Sequence, residues 1–147
     1  MPLHACPGRD LFFKRGDSFE RLKLLPNGDK GFKDLGFYVK PQGLKSLNAY
    51  VPFGKEARRV ILAAYGKKED GGFEFTFSVA ADSAVGNDYG SLADYTASSG
   101  AGHSGGLVVD STSGKIVGIH LMGGVKFNQF FPINEAFVQR TTSLSKN

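Results

Sequence analysis

The sequence predicts an all-β fold, a barrel or sandwich built from short strands. Three observations carry this. Short apolar runs recur between turn residues along the chain. One run, Phe73 to Val79, alternates apolar and polar residues with the period of two that a half-buried strand requires. The 20 glycines in 147 residues suit many turns and therefore short strands.

The elements follow in order. Residues 1–9 hold His4 and Cys6 and reach a turn signal at Pro7-Gly8. Leu11 to Phe13 and Phe19 to Leu25 are short apolar runs, the second in partial alternation. Pro26-Asn27-Gly28-Asp29 is a strong turn. Phe32 to Val39 reads as a strand, stopped by Pro41. Residues 41–56, with Pro41, Gly43, Pro52 and Gly54, read as a connector. Arg59 to Tyr65 and Phe73 to Val79 form a hairpin across Gly66 to Gly72. Asp82 to Gly90 is loop-like, and Leu92 to Thr96 leads into a glycine-rich turn. Leu107 to Val109 and Ile116 to Leu121 flank the turn Asp110 to Gly114, and Phe130 to Ile133 is a last strand. Asn134 is placed to cap a closing helix from Glu135 to Arg140, followed by a tail. The expected division is 1–50, 51–140 and a tail at 141–147.

Composition narrows the function classes. Hydrophobic content of 41% and charged content of 22% describe a globular chain of ordinary domain size. Net charge is +4, modest and scattered, with Lys55 to Arg59 and Lys67-Lys68 as its denser stretches. Cys6 is the only cysteine, which excludes an internal disulfide and fits a reducing compartment. No run approaches the ~20 apolar residues of a membrane span, and Met1 to Cys6 lacks the basic start and apolar core of a signal peptide. Neither a Cys/His metal pattern nor a cofactor motif is visible, so no metal or cofactor is expected.

The chemistry concentrates at Gly100-Ala101-Gly102-His103-Ser104-Gly105-Gly106. Glycines let the backbone take positive φ and let other chain approach closely. A serine in such a turn stands in the open with backbone N–H groups aimed at the same place. Acyl transfer needs this combination: Ser104 as nucleophile, with the N–H groups of Gly102 and Ser104 as oxyanion hole.

Ser104 needs a base, and the chain has three histidines. His103 adjoins Ser104 and reaches its hydroxyl poorly. His4 and His120 remain. Known triad orders pair His120 with an acid between 104 and 120, where Asp110 sits in an exposed turn, and His4 with an acid between 4 and 104. Asp34 is the better acid. It stands among Phe32, Leu35, Phe37 and Tyr38, where a carboxylate is costly unless a donor such as a histidine N–H binds it.

Leu3-His4-Ala5, Lys33 to Phe37, Gly102 to Gly106 and Gly118 to Gly123 together resemble the chymotrypsin-like serine proteases of positive-strand RNA viruses, in particular the polyprotein proteases of sobemoviruses and luteo-like viruses. Leu107 stands where many cellular trypsin-like enzymes carry proline, which favours the viral side. The resemblance implies two β-barrels, with His4, Asp34 and Ser104 as triad. It implies that His120, with Ser99 and Asn128, lines an S1 pocket for Glu or Gln. Relatives carry several strands ahead of the catalytic histidine, so the N-terminal barrel is expected to be incomplete. The resulting expectation is a serine endopeptidase acting on a viral polyprotein in the host cytoplasm. The alternative is a non-catalytic protease-like module that binds RNA weakly, or a protein partner.

Overall fold

A computed structural model of the chain describes residues 1–47, 59–80, 85–86, 92–100, 102–123 and 128–145. The chain divides into two compact units, Met1–Asn48 with Val138–Asn147, and Ala49–Phe137.

The first unit contains one antiparallel hairpin, β1 (Phe12–Arg15) with β2 (Ser18–Arg21). Two short 3-10 turns, Leu3–Ala5 and Pro7–Arg9, precede it. The expected strand at 32–39 is not a strand. Its residues form turns and two isolated bridges, Pro2 with Leu35 and Leu24 with Tyr38. The reason lies at Asp34, whose φ of 62° is left-handed and breaks an extended run. The turn at 26–29 forms as expected, with Asn27 at φ 60°. Leu3, Cys6 and Leu35 are buried here.

The second unit is a seven-stranded antiparallel sheet. Its strands are β3 (Val60–Lys67), β4 (Phe73–Val79), β5 (Val85–Gly86), β6 (Ala93–Tyr95), β7 (Leu107–Asp110), β8 (Ile116–Met122) and β9 (Asn128–Pro132). Their order is β4-β3-β7-β8-β9-β6-β5. Alternation on β3 turns Val60, Leu62 and Ala64 inward, where they meet Tyr95, Val108, Val117 and Phe130 in one core. Burying each of the larger members contributes about 1.5–3 kcal/mol. Gly118 makes room for Phe130: a Cβ there would lie 2.2 Å from the ring.

β4 has the expected limits, yet its apolar side faces outward. Phe73, Phe75, Phe77 and Val79 are exposed, and β4 is a sheet edge. Phe75 stacks edge-on with Tyr65 and Phe77, so these rings shield one another.

Helix α1 (Glu135–Ser145) starts as expected, with the Phe137 N–H donating to Asn134 Oδ1 at 3.0 Å. It then runs past Arg140, through residues expected as tail, because Leu144 is buried. Arg140 donates to the Asn27 and Lys30 carbonyls at 2.8 and 2.9 Å. No helix among the described residues is long and apolar enough to cross a membrane.

Candidate active site

In the first unit, His4 sits in the Leu3–Ala5 turn. Met1 to Leu3 lie against Asp34 to Gly36: Leu3 N–H donates to Asp34 O at 2.9 Å and Gly36 N–H to Met1 O at 2.9 Å. A Cβ on Gly36 would fall 2.5 Å from Leu3 Cδ2, so glycine lets these segments meet. This pairing brings Asp34 to His4. Asp34 Oδ2 lies 2.5 Å from His4 Nδ1, and Asp34 Oδ1 accepts the His4 backbone N–H at 2.7 Å. A carboxylate at Nδ1 favours the proton on that nitrogen and leaves Nε2 as the acceptor. The two side chains keep 42% and 24% of their surface.

Nearby, Cys6 is buried, with its thiol 3.6 Å from Pro2 O. Tyr38 donates to Arg9 O at 2.9 Å. Desolvation and then the Cys6 thiol raise the Tyr38 phenol from 10.0 to about 12.

In the second unit, the Ser104 turn depends on Gly102 and Gly105, at φ 88° and 86°. A Cβ on Gly102 would meet Phe73 Cε1 at 3.0 Å as well as carrying backbone strain. The turn docks on β8 through the backbone. Gly105 N–H donates to His120 O, and His120 N–H to Gly106 O, each at 2.9 Å. The β8–β9 register slips between His120 and Met122, so Leu121 is an extra residue there. Ser104 Oγ donates to the Leu121 carbonyl at 3.3 Å. A pocket of about 270 Å³ borders the turn, lined by Tyr65, Phe75, Gly102, His103, Ser104 and Leu107 among others.

His120 is buried on β8, and the Tyr95 hydroxyl lies against its Nδ1. Burial raises the Tyr95 phenol well above its ordinary value, so it keeps its proton and can donate to Nδ1. That places the ring proton on Nε2. Nothing in the sequence pointed to Tyr95. Leu92 to Thr96 read only as the lead into the glycine-rich turn, whereas Ala93–Tyr95 is strand β6.

Ser99, Gly123 and Asn128 converge. A Cβ on Gly123 would lie 3.1 Å from Asn128 Oδ1 and 3.6 Å from Ser99 Oγ. The Asn128 amide nitrogen donates to Ala97 O, which fixes which end of the amide faces Gly123.

Two expectations about other groups change. Asp110 is not in an exposed turn. It is 5% exposed and accepts from Ser113 N–H at 3.0 Å and Ser113 Oγ at 2.7 Å, so it caps the β7–β8 turn. The Lys67-Lys68 stretch is of mixed sign: Glu69, Asp70 and Glu74 surround it, and Lys68 pairs with Asp70 at 3.7 Å. Lys55 lies outside the described residues.

No protein-family model matches the sequence, and no curated protein does. Solved structures do match. A tobacco etch virus protease, catalytically inactive and complexed with substrate, aligns over 92% of the chain at 14% identity and TM-score 0.63. Rv3671c of M. tuberculosis H37Rv, in an inactive form, aligns over 99% at 14% identity and TM-score 0.66, covering 76% of that chain. The HtrA-type protease AlgW, with a tripeptide, aligns over 99% at 19% identity and TM-score 0.61, covering 51% of that chain. The chain spans 61–66% of the tobacco etch virus proteases it matches. It has the chymotrypsin-like protease fold, mostly β with two sheets and a C-terminal helix.

Proposed function

We propose that the protein is a serine endopeptidase that cleaves a polypeptide after Glu or Gln. The observation that carries this reading is the two-point hold of Asp34 on His4, in a chain of this fold that carries a glycine-rich serine turn at Ser104. In this reaction Ser104 Oγ gives its proton to His4 Nε2 as it attacks the scissile carbonyl. Asp34 steadies the imidazolium that forms. The Gly102 and Ser104 N–H groups receive the oxyanion. His4 then protonates the leaving amine, and water hydrolyses the acyl-enzyme by the same route in reverse. His120 Nε2–H donates to the P1 carboxylate or amide oxygen, beside Ser99 Oγ and Asn128. The mechanism needs neither metal nor cofactor.

The resemblance of the Ser104 and His120 segments to RNA-virus proteases makes a viral polyprotein the substrate, met in the host cytoplasm. The bacterial neighbours leave the fold open to other substrates. The test is cleavage of a peptide set varied at P1. Cleavage confined to Glu and Gln, lost in Ser104→Ala and broadened in His120→Ala, supports the reading. Cleavage retained in Ser104→Ala overturns it.

A further inference from the structure

His103 precedes the nucleophile and plays no part in the reaction just described. Its ring nonetheless has partners at both nitrogens. The Gly100 N–H donates to Nδ1 at 2.8 Å, and Nε2 lies 3.0 Å from Thr76 Oγ1. Thr76 Oγ1 in turn donates to the Ala64 carbonyl at 3.2 Å. Only one proton arrangement satisfies all three bonds. Nδ1 must be bare to accept from Gly100. Nε2 must then carry the ring proton and donate to Thr76, whose own hydroxyl proton is committed to Ala64. Nδ1 also lies 2.9 Å from the Gly100 carbonyl, the acceptor that the opposite tautomer would use at the expense of the Gly100 N–H.

The ring is also held by shape. It lies over Gly66 on β3, where any Cβ would fall 2.8 Å from its Cε1 and 3.1 Å from its Nε2. Thr76 is the cross-strand partner of Ala64, so the hydroxyl that receives the ring comes from a fixed position in the β3–β4 ladder. Backbone bonds continue the hold on the serine side: Gly106 N–H donates to His103 O at 2.9 Å.

We infer that His103, as the Nε2–H imidazole, is a positioning residue that clamps the Ser104 turn to the β3–β4 hairpin through Thr76 and Gly100. The clamp fixes Gly100 and the turn from Gly102 to Gly106, and with it the Gly102 and Ser104 N–H groups that the proposed reaction uses. Its catalytic consequence rests on that reaction; its existence does not.

Two measurements keep these separate. The first is long-range proton–nitrogen correlation of the histidine rings in the full chain, with amide exchange across residues 100–106. The expected result is an Nε2–H tautomer for His103, and faster exchange in Thr76→Val than in wild type. An Nδ1–H tautomer, or unchanged exchange in a folded Thr76→Val, overturns the clamp whether or not the protein is a protease. The second is peptide turnover by Thr76→Val and Thr76→Ser. The clamp predicts that Val lowers kcat about tenfold, the scale of one lost hydrogen bond, with KM within about twofold. Ser, which restores the hydroxyl, recovers most of the rate. Equal turnover by Val and wild type overturns the positioning role. A wild type that turns over no peptide counts against the protease reading alone, and the ring tautomer and exchange still decide the clamp.

Discussion

Asp34 grips His4 twice, with one carboxylate oxygen on the ring nitrogen at 2.5 Å and the other on the backbone N–H at 2.7 Å. The double contact fixes where the imidazole sits and which way it turns. It is made by a residue with left-handed φ, a conformation that asparagine and aspartate tolerate better than other side chains.

Asp34→Asn therefore keeps the backbone turn while removing the charge. An amide cannot accept from both N–H groups as the carboxylate does. We expect kcat to fall by about 10² to 10⁴-fold, with little change in the melting curve. Steady-state turnover beside a thermal melt checks this. A variant of near wild-type rate would remove Asp34 from the mechanism.

Tyr95→Phe removes the hydroxyl on His120 Nδ1. It leaves a buried ring nitrogen without that donor, at a cost of about 1–3 kcal/mol in stability. Free choice of tautomer should also blunt discrimination between Gln and other residues at P1. Denaturant melts and P1 profiles read the two effects separately.

Gly123→Ala puts a methyl 3.1 Å from Asn128 Oδ1 and 3.6 Å from Ser99 Oγ. The expected outcome is a raised KM for P1 Glu and Gln peptides, with labelling of Ser104 by a small fluorophosphonate unchanged. Unaltered KM would place the P1 side chain elsewhere.

Gly118→Ala probes the core. Its Cβ would lie 2.2 Å from Phe130 Cδ2 and 2.8 Å from Phe131 O, so ring and strand must move. A loss of about 3 kcal/mol is expected, seen as a Tm lower by roughly 6–12 °C.

Alkaline titration tests the Tyr38 and Tyr95 phenols. Burial favours the neutral form of Tyr38 and Tyr95. For Tyr38 the stabilisation is full below the ordinary value of 10.0 and is lost as pH rises toward about 12. In an alkaline absorbance titration, Tyr38→Phe should remove a late-ionising phenol.

The second unit was largely legible because short apolar runs recur between turn residues, one of them, Phe73 to Val79, at period two. β4 was placed correctly from that pattern. Its facing was not, since alternation shows that a strand has two sides and not which side the sheet edge leaves uncovered. The Asp34 region misled for a local reason: apolar neighbours suggested a strand, but one left-handed residue makes it a turn. The identity of Asp34 as a partner for His4 was readable from the cost of a carboxylate among phenylalanines. The Tyr95 and Thr76 contacts were not readable, because they depend on which strands become neighbours.

The most direct test is intact mass after exposure to a fluorophosphonate, with Ser104→Ala as control. The account predicts one adduct on the wild type and none on the variant. A folded wild type that takes up no probe would contradict it, showing that Ser104 is not activated by His4 and Asp34.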